Sequence, residues 1–188
     1  VAVLGRLVHS LSLYGAVEAL HLGADMYILD GLRPDRQRAA LMAAGIEVLY
    51  ATPAQLRLLA EARGPALPLR LVLTGGSKLD MTLRAALATL APGAAVREFY
   101  GAAEASFVTL GEEGLPQASV GAPYPGVFLD IRDAGGQPLP AGGLGEVWVR
   151  SPYLFDGYGD GQAGPARWRD GWLTVGERRL RLIACPVG

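Results

Sequence analysis

The sequence predicts an α/β protein, in which a parallel sheet flanked by helices is followed by a small, mainly antiparallel β-rich part. Over the first hundred residues, short apolar runs alternate with helical patterns about ten residues long, which is typical of βαβ units. After Glu104 the helical periodicity disappears, and short β-like runs follow, separated by Gly and Pro. We therefore expect two subdomains, 1–115 and 116–188, with the boundary between about Glu112 and Val120.

The first two helices are delimited by residues that favour helix ends. Ser10 is expected to cap a helix that runs to Leu22 and stops at Gly23. This helix is apolar on most sides, so we expect its large apolar residues to be buried. Pro34 at the first helical position and Gly45 beyond the end delimit the second helix.

The next two helices have stronger local signals. Thr52-Pro53-Ala54-Gln55 is a capping box with proline at the first helical position, and it predicts the start of the third helix. Four leucines at helical spacing predict the apolar stripe of the fourth: Leu79, Leu83, Leu87 and Leu90. Strands are predicted between these helices, at 24–29, 46–50 and 70–73, and after the fourth helix, at 96–100.

The second half contains five β-like runs, at 106–110, 127–132, 145–150, 172–175 and 180–184. The segment 133–143 is rich in Gly and Pro, which predicts a turn-rich connection between two of these strands. This pattern predicts a small antiparallel sheet or barrel.

Composition excludes several classes of function. A formal net charge of −1 gives no electrostatic basis for binding nucleic acid or an anionic membrane. No run approaches the roughly 18 apolar residues of a membrane span. Cys185 is the only cysteine, so no internal disulfide can form, and a reducing, cytoplasmic location is expected. Lys78 is the only lysine, and a homodimer remains open.

Two turns at predicted strand ends are candidates for ligand binding. In Thr74-Gly75-Gly76-Ser77, the glycines would let a ligand approach the backbone near a helix N-terminus. An ordinary strand-to-helix turn explains these residues equally, because no full phosphate-loop fingerprint is present. In the segment from Tyr100 to Glu104, the ring could stack on a base and the carboxylate could hold Mg²⁺; the alternative is a turn with a surface glutamate.

The order of six segments resembles the adenylate-forming superfamily, which includes acyl- and aryl-CoA synthetases, adenylation domains of peptide synthetases, and luciferases. The first two are the Gly-Gly turn at 74–79 and Phe99-Tyr100-Gly101-Ala102-Ala103-Glu104, which is similar to the family's Tyr-Gly-x-Thr-Glu. The other four are 119–123, 145–150, 155–158 and 170–177, the last resembling a segment that ends Thr-Gly-Asp.

The resemblance implies a role for each matching residue. Tyr100 would stack on adenine, and Glu104 would be the catalytic carboxylate that helps hold Mg²⁺ on the ATP phosphates. Glu177 would bind the ribose hydroxyls. The remaining nucleotide-binding positions would be Gly75, Gly76, Ser77, Gly101 and Ala102. The substrate pocket would include His9, Gly76 and Gly101, although a lone histidine before a helix also fits a packed or capping residue.

The resemblance also implies an activity, that of an AMP-forming acyl-CoA synthetase of fatty acid metabolism. Such a ligase uses ATP and Mg²⁺ to adenylate a carboxylic acid, releases pyrophosphate, and transfers the acyl group to CoA. An adenylation domain that loads the phosphopantetheine arm of a carrier protein is an alternative.

This sequence departs from the family in ways that bear on activity. The 188 residues contain neither the family's lysine-bearing phosphate loop nor the C-terminal lobe with its catalytic lysine, and Lys78 matches neither lysine. Ala103 stands where the family has Thr, and Glu177 where it has Asp. We therefore expect the chain to be inactive by itself. The alternative is a natural non-catalytic truncation that serves as a nucleotide-binding, acyl-binding or interaction module.

Overall fold

The computed structural model describes residues 1–112, 114–116, 118–159 and 164–176, and the backbone of 178–180. The chain divides into two compact units. The first unit comprises residues 1–100 and 110–122, and the second comprises 101–109 and the described residues from 123 onward.

The first sheet has seven strands: β1 (Ala2–Val3), β2 (Tyr27–Ile28), β3 (Val48–Tyr50), β4 (Leu71–Thr74), β5 (Ala95–Ala102), β6 (Ser106–Gly111) and β7 (Ala122–Pro123). Their order in the sheet is β2-β1-β3-β4-β5-β6-β7. Neighbouring strands from β2 to β5 in this order pair in parallel. The helices are α1 (Ser10–Leu22), α2 (Pro34–Ala43), α3 (Pro53–Glu61) and α4 (Met81–Leu90).

The helix ends follow the local signals, with one exception. The capping box at α3 is complete, because the Thr52 side chain accepts from the Gln55 N–H while the Gln55 side chain accepts from the Thr52 N–H. Gly23 ends α1 in the left-handed conformation. The expectation that Ser10 caps α1 was wrong. Ser10 is already helical, and the extended residue before it, His9, occupies the cap position without a side-chain hydrogen bond.

The side of α1 that is buried also differs from the expectation. Its large apolar residues are exposed, at 47% for Leu13, 56% for Val17 and 80% for Leu20. The buried positions carry small side chains instead: Ser12, Gly15, Ala16 and Ala19. The reason is close approach to the sheet, since a Cβ on Gly15 would lie 2.8 Å from Val3 Cγ1 and 2.9 Å from the Tyr50 ring.

The main core of the first unit lies between the sheet and helices α2, α3 and α4. It contains all four leucines of the predicted α4 stripe, and it is formed by Ala2, Leu4, Leu41, Leu49, Leu56, Leu59, Val72, Leu79, Leu83, Leu87 and Leu90, among others. Because side chains alternate along a strand, Val3 and Tyr50 point to the opposite face, where α1 packs. Helices therefore cover both faces of the parallel sheet, which confirms the predicted fold class.

The second sheet is antiparallel and lies in the second unit. Its strands are β8 (Phe128–Arg132), β9 (Gly145–Arg150), β10 (Arg167–Arg169), β11 (Trp172–Thr174) and β12 (Arg178–Leu180). Their order is β10-β11-β9-β12, with β8 paired along β9. Most of the predicted strand at 180–184 lies outside the described residues, and β10 was not predicted.

One face of this second sheet is apolar and the other alternates arginine with aromatic rings. Ile131, Val147, Val149 and Leu173 are buried on the first face. On the other, the Arg132 guanidinium lies 4.9 Å from the centre of the Trp148 ring and 5.0 Å from that of Trp172. Among the described residues, no helix is long and apolar enough to cross a membrane.

Candidate functional site

The predicted Gly-Gly turn follows β4 at the carboxyl edge of the parallel sheet, the edge at which open α/β sheets bind ligands. A Cβ on Gly75 would lie 2.7 Å from two carbons of the Phe99 ring, so packing alone requires a glycine there. Gly76 has a φ of +87°, a conformation that L side chains rarely adopt. Packing and backbone geometry therefore account for both glycines without a ligand. Gly75 is buried, whereas Gly76 and Ser77 are exposed.

Tyr100 lies near the carboxyl end of β5, the strand that neighbours β4. Thr74, the last residue of β4, pairs with Glu98, and Gly76 and Tyr100 each follow two residues later in the chain. The Tyr100 side chain is half-buried. The first unit thus brings together two of the segments that the sequence singled out for nucleotide binding.

A buried carboxylate lies in the same region, and sequence reasoning missed it. The Glu98 side chain is only 9% exposed, and its Oε2 lies 2.8 Å from both Lys78 Nζ and an Arg84 guanidinium nitrogen. Its Oε1 accepts a hydrogen bond from the Leu79 N–H at 2.9 Å. Lys78 Nζ also donates to the Ser119 carbonyl at 2.6 Å. The one available signal was an acidic residue in a strand expected to lie inside a parallel sheet.

The segment around Ser119 is held in place by its own close contacts. Gly121 has a φ of +97°, and a Cβ there would lie 2.2 Å from the Leu110 carbonyl oxygen. The Gly121 N–H donates to the Ser119 hydroxyl at 3.1 Å. This segment, similar to the family's Val-Gly-x-Pro, is therefore fixed within the first unit and reached by Lys78.

In the second unit, the chain makes a tight turn from Gly101 to Ser106. A Cβ on Gly101 would lie 2.1 Å from the Ser106 carbonyl oxygen, and Ser106 itself has a φ of +58°. The Ala105 N–H closes the turn on the Ala102 carbonyl at 3.1 Å. Glycine at position 101 is thus required by the backbone, and the turn presents Glu104.

Glu104 contacts the segment that resembles the family's Gly-Tyr motif. Its half-buried carboxylate accepts a hydrogen bond from the Tyr158 hydroxyl at 2.8 Å, and its carbonyl accepts from the Phe155 N–H at 2.9 Å. Burial, together with the hydrogen bond to Glu104, raises the pKa of the Tyr158 hydroxyl. Two segments that are about fifty residues apart in sequence therefore meet at this carboxylate.

The remaining predicted residues are placed less closely, or are not described. The His9 side chain is exposed, in the connection between β1 and α1. Ser77 and Ala102 lie in the two turns already described. Glu177, predicted to bind ribose, lies outside the described residues. Among the residues described, no group of three or more His, Cys, Asp or Glu side chains could hold a metal ion by itself.

The sequence profile of AMP-binding enzymes matches residues 1–159, most of the chain. The chain belongs to the AMP-binding enzyme family. A similar relative is the uncharacterized acyl–CoA ligase YhfT of Bacillus subtilis, which is 33% identical over 181 residues, covering 94% of this chain and 36% of the relative. This membership confirms the resemblance drawn from the six sequence segments.

Two solved structures illustrate the fold that the chain shares. The amide bond synthetase McbA from Marinactinospora thermotolerans is 29% identical, with a TM-score of 0.76 over 94% of this chain and 37% of that one. A benzoate CoA ligase from Burkholderia xenovorans, 20% identical with a TM-score of 0.77, shows the fold alone. The chain spans a little over a third of the length of these relatives.

Proposed function

We propose that this chain is the nucleotide-binding part of an AMP-forming acyl-CoA synthetase. In that reaction a carboxylate oxygen attacks the α-phosphorus of ATP, the bond to the β-phosphate oxygen breaks, and pyrophosphate leaves. The thiol sulfur of CoA then attacks the acyl carbon, and AMP leaves. The observation that carries the proposal is the placement of the Gly-Gly turn beside Tyr100 at the carboxyl edge of the parallel sheet, in a chain of the AMP-binding family.

The nucleotide base is assigned to Tyr100. A half-buried ring can stack on adenine with one face while its other side packs on protein. The backbone of Gly75, Gly76 and Ser77 would border the base, since a Cβ at Gly75 would overlap the Phe99 ring and the positive φ of Gly76 disfavours a side chain. Gly101 and Ala102 are also assigned to nucleotide binding, and Glu177 to the ribose hydroxyls.

Glu104 is assigned to the metal ion. Mg²⁺ in nucleotide sites is held by one or two carboxylates together with phosphate oxygens and water, so a single protein carboxylate fits it. The described partner of the Glu104 side chain is a neutral hydroxyl, which orients the carboxylate without neutralising its charge. When bound, Mg²⁺ would neutralise charge on the phosphates; the protein contributes the position of one oxygen ligand.

The acyl acceptor is assigned to CoA on the basis of the acyl–CoA ligase relative. A carrier-protein thiol is the alternative acceptor, since one relative is named a salicyl-AMP ligase / salicyl-S-ArCP synthetase. A fatty acid as the carboxylic acid, a cytoplasmic location and His9 in the acyl pocket complete the proposal.

Calorimetric titration with AMP tests the nucleotide assignment. The variants are Tyr100→Ala and, as a matched control, Tyr27→Ala, which removes a tyrosine from the edge strand β2. Base stacking on an aromatic side chain is worth about 1–3 kcal/mol, so Tyr100→Ala should weaken AMP binding by about fivefold or more. Unchanged AMP affinity in Tyr100→Ala, or a wild-type chain that binds no AMP, would overturn the assignment.

A second titration tests Glu104. Mg²⁺ should strengthen ATP binding to the wild-type chain, and Glu104→Gln should remove that gain while AMP binding stays unchanged. We also expect no carboxylate-dependent exchange of pyrophosphate into ATP by these 188 residues alone, because the only lysine is already engaged by Glu98 and Ser119. Robust exchange would show that the chain needs no further lysine.

A further inference from the structure

The buried cluster around Glu98 has a role that the family assignment does not supply. We propose that Lys78 is a positioning residue for the nucleotide, which holds the Gly-Gly turn in register with the strand that carries Tyr100. The proposal rests on the proposed nucleotide site. It assigns Lys78 no contact with the ligand.

The geometry links three segments of the first unit through one ammonium group. Lys78 directly follows Ser77, the last residue of the turn. Its Nζ lies 2.8 Å from Glu98 Oε2, and Glu98 is two residues before Tyr100 on β5. The same Nζ lies 2.6 Å from the Ser119 carbonyl, in the segment that ends at Gly121. The turn, the tyrosine strand and this third segment are thus bound to a single side chain.

The electrostatics explain why this link is firm. A carboxylate that is only 9% exposed is costly unless its charge is compensated and hydrogen-bonded. Glu98 meets this need with Lys78, Arg84 and the Leu79 N–H. The Leu79 amide lies one residue beyond Lys78, so backbone and side chain hold the exit of the turn together. Loosening this exit would leave the turn to be ordered when the nucleotide binds, which lowers affinity.

Arg84 provides a matched control within the same cluster. Its guanidinium lies 2.8 Å from Glu98 Oε2, the same oxygen and the same distance as Lys78 Nζ. The two side chains are also similarly exposed, 29% for Arg84 and 36% for Lys78. Arg84 projects from α4, however, and its described contact is with Glu98 rather than with Ser119. Removing either cation takes one positive charge from the carboxylate, whereas only removal of Lys78 releases the turn.

The test compares Lys78→Met with Arg84→Met in the full 188-residue chain, with AMP as the probe. Urea unfolding should show similar losses of stability in both variants. Lys78→Met should weaken AMP binding by about three- to tenfold, the effect expected when a short segment must be ordered on binding. Arg84→Met should bind AMP within twofold of wild type. Lys78→Arg, which keeps the charge and hydrogen-bond donors, should recover most of the affinity.

Hydrogen exchange without nucleotide gives a readout that does not depend on binding. The amides of 75–79 and 119–121 should exchange faster in Lys78→Met and remain as in wild type in Arg84→Met. Equal changes in both variants, in exchange or in AMP affinity, would overturn the positioning role and leave an ordinary buried ion cluster. A wild-type chain that binds no AMP would instead overturn the proposed function, and with it any role toward nucleotide, whatever the exchange data show.

Discussion

Substitution of Gly75 distinguishes a glycine kept for packing from one kept for a ligand. In Gly75→Ala the new Cβ would lie 2.7 Å from Cε1 and Cζ of Phe99. Carbon atoms in contact prefer about 3.5–4.0 Å, so the ring would have to move by about 1 Å. Phe99 is 8% exposed, and Tyr14 lies edge-on at 6.5 Å between ring centres, which restricts that movement. We expect a loss of about 1–3 kcal/mol in the free energy of unfolding, as for other overpacked cores.

Urea unfolding of four proteins measures this loss: wild type, Gly75→Ala, Phe99→Leu and the double variant. Leucine removes the ring atoms that the new methyl group meets, so the alanine substitution should cost about 1 kcal/mol less in the Phe99→Leu background. Gly76→Ala is the neighbouring control, where a Cβ meets open space and only the positive φ is strained. A Gly75→Ala variant that unfolds like wild type but no longer binds AMP would refute the packing explanation.

Three further predictions concern residues near the site. The Leu83 N–H, which Asp80 caps, is the largest factor that lowers the pKa of Asp80. The ionised Asp80 therefore stabilises the fold fully above a pH of about 4, and this stabilisation is lost as the pH falls through the lowered pKa. The difference in unfolding free energy between wild type and Asp80→Asn should accordingly shrink as the pH falls below about 4. Gly101→Ala should destabilise the chain by about 3 kcal/mol in urea, because its Cβ would overlap the Ser106 carbonyl. Thr74 is fully buried and its hydroxyl has no hydrogen-bond partner among the described residues, so Thr74→Val should raise the thermal midpoint, with a gain of about 1 kcal/mol.

The elements that could be predicted from the sequence are those determined by neighbouring residues. The capping box of α3 needs only Thr52 and Gln55, three residues apart, and both hydrogen bonds are present. The leucine stripe of α4 has its own period and is buried throughout. The capping box and the leucine stripe could be predicted because the residues that form each of them lie about one helical turn apart in the sequence.

The buried side of α1 was not predicted, because hydrophobic periodicity does not mark one. Apolar residues occur on most sides, so periodicity gives no direction. What decides the orientation is the close fit of Gly15 against Val3 and Tyr50, side chains of two strands that lie elsewhere in the sequence. A glycine in a helix interior was the available signal, since such a residue is unfavourable unless close packing requires it.

The candidate site likewise combines one arrangement that the sequence predicts with contacts that it does not. Parallel strands predict that the turn after β4 and the end of β5 share an edge, and the structure pairs Thr74 with Glu98, two residues before Gly76 and Tyr100. Partners farther along the chain were not foreseen. Glu98 is twenty residues from Lys78, and Tyr158 is fifty-four residues from Glu104. Pairs at such separations depend on topology that no local pattern encodes.

The two glutamates on either side of Tyr100 in the sequence differ in how far the fold itself compensates their charge. Glu98 is buried and forms ion pairs with two cations and a hydrogen bond with a backbone amide, so its charge is already compensated within the fold. Glu104 is half-buried and receives a hydrogen bond from a phenol, which carries no compensating charge. Because a bound cation adds most where a carboxylate is oriented but not neutralised, Glu104 rather than Glu98 is the residue suited to meet a metal ion on a nucleotide.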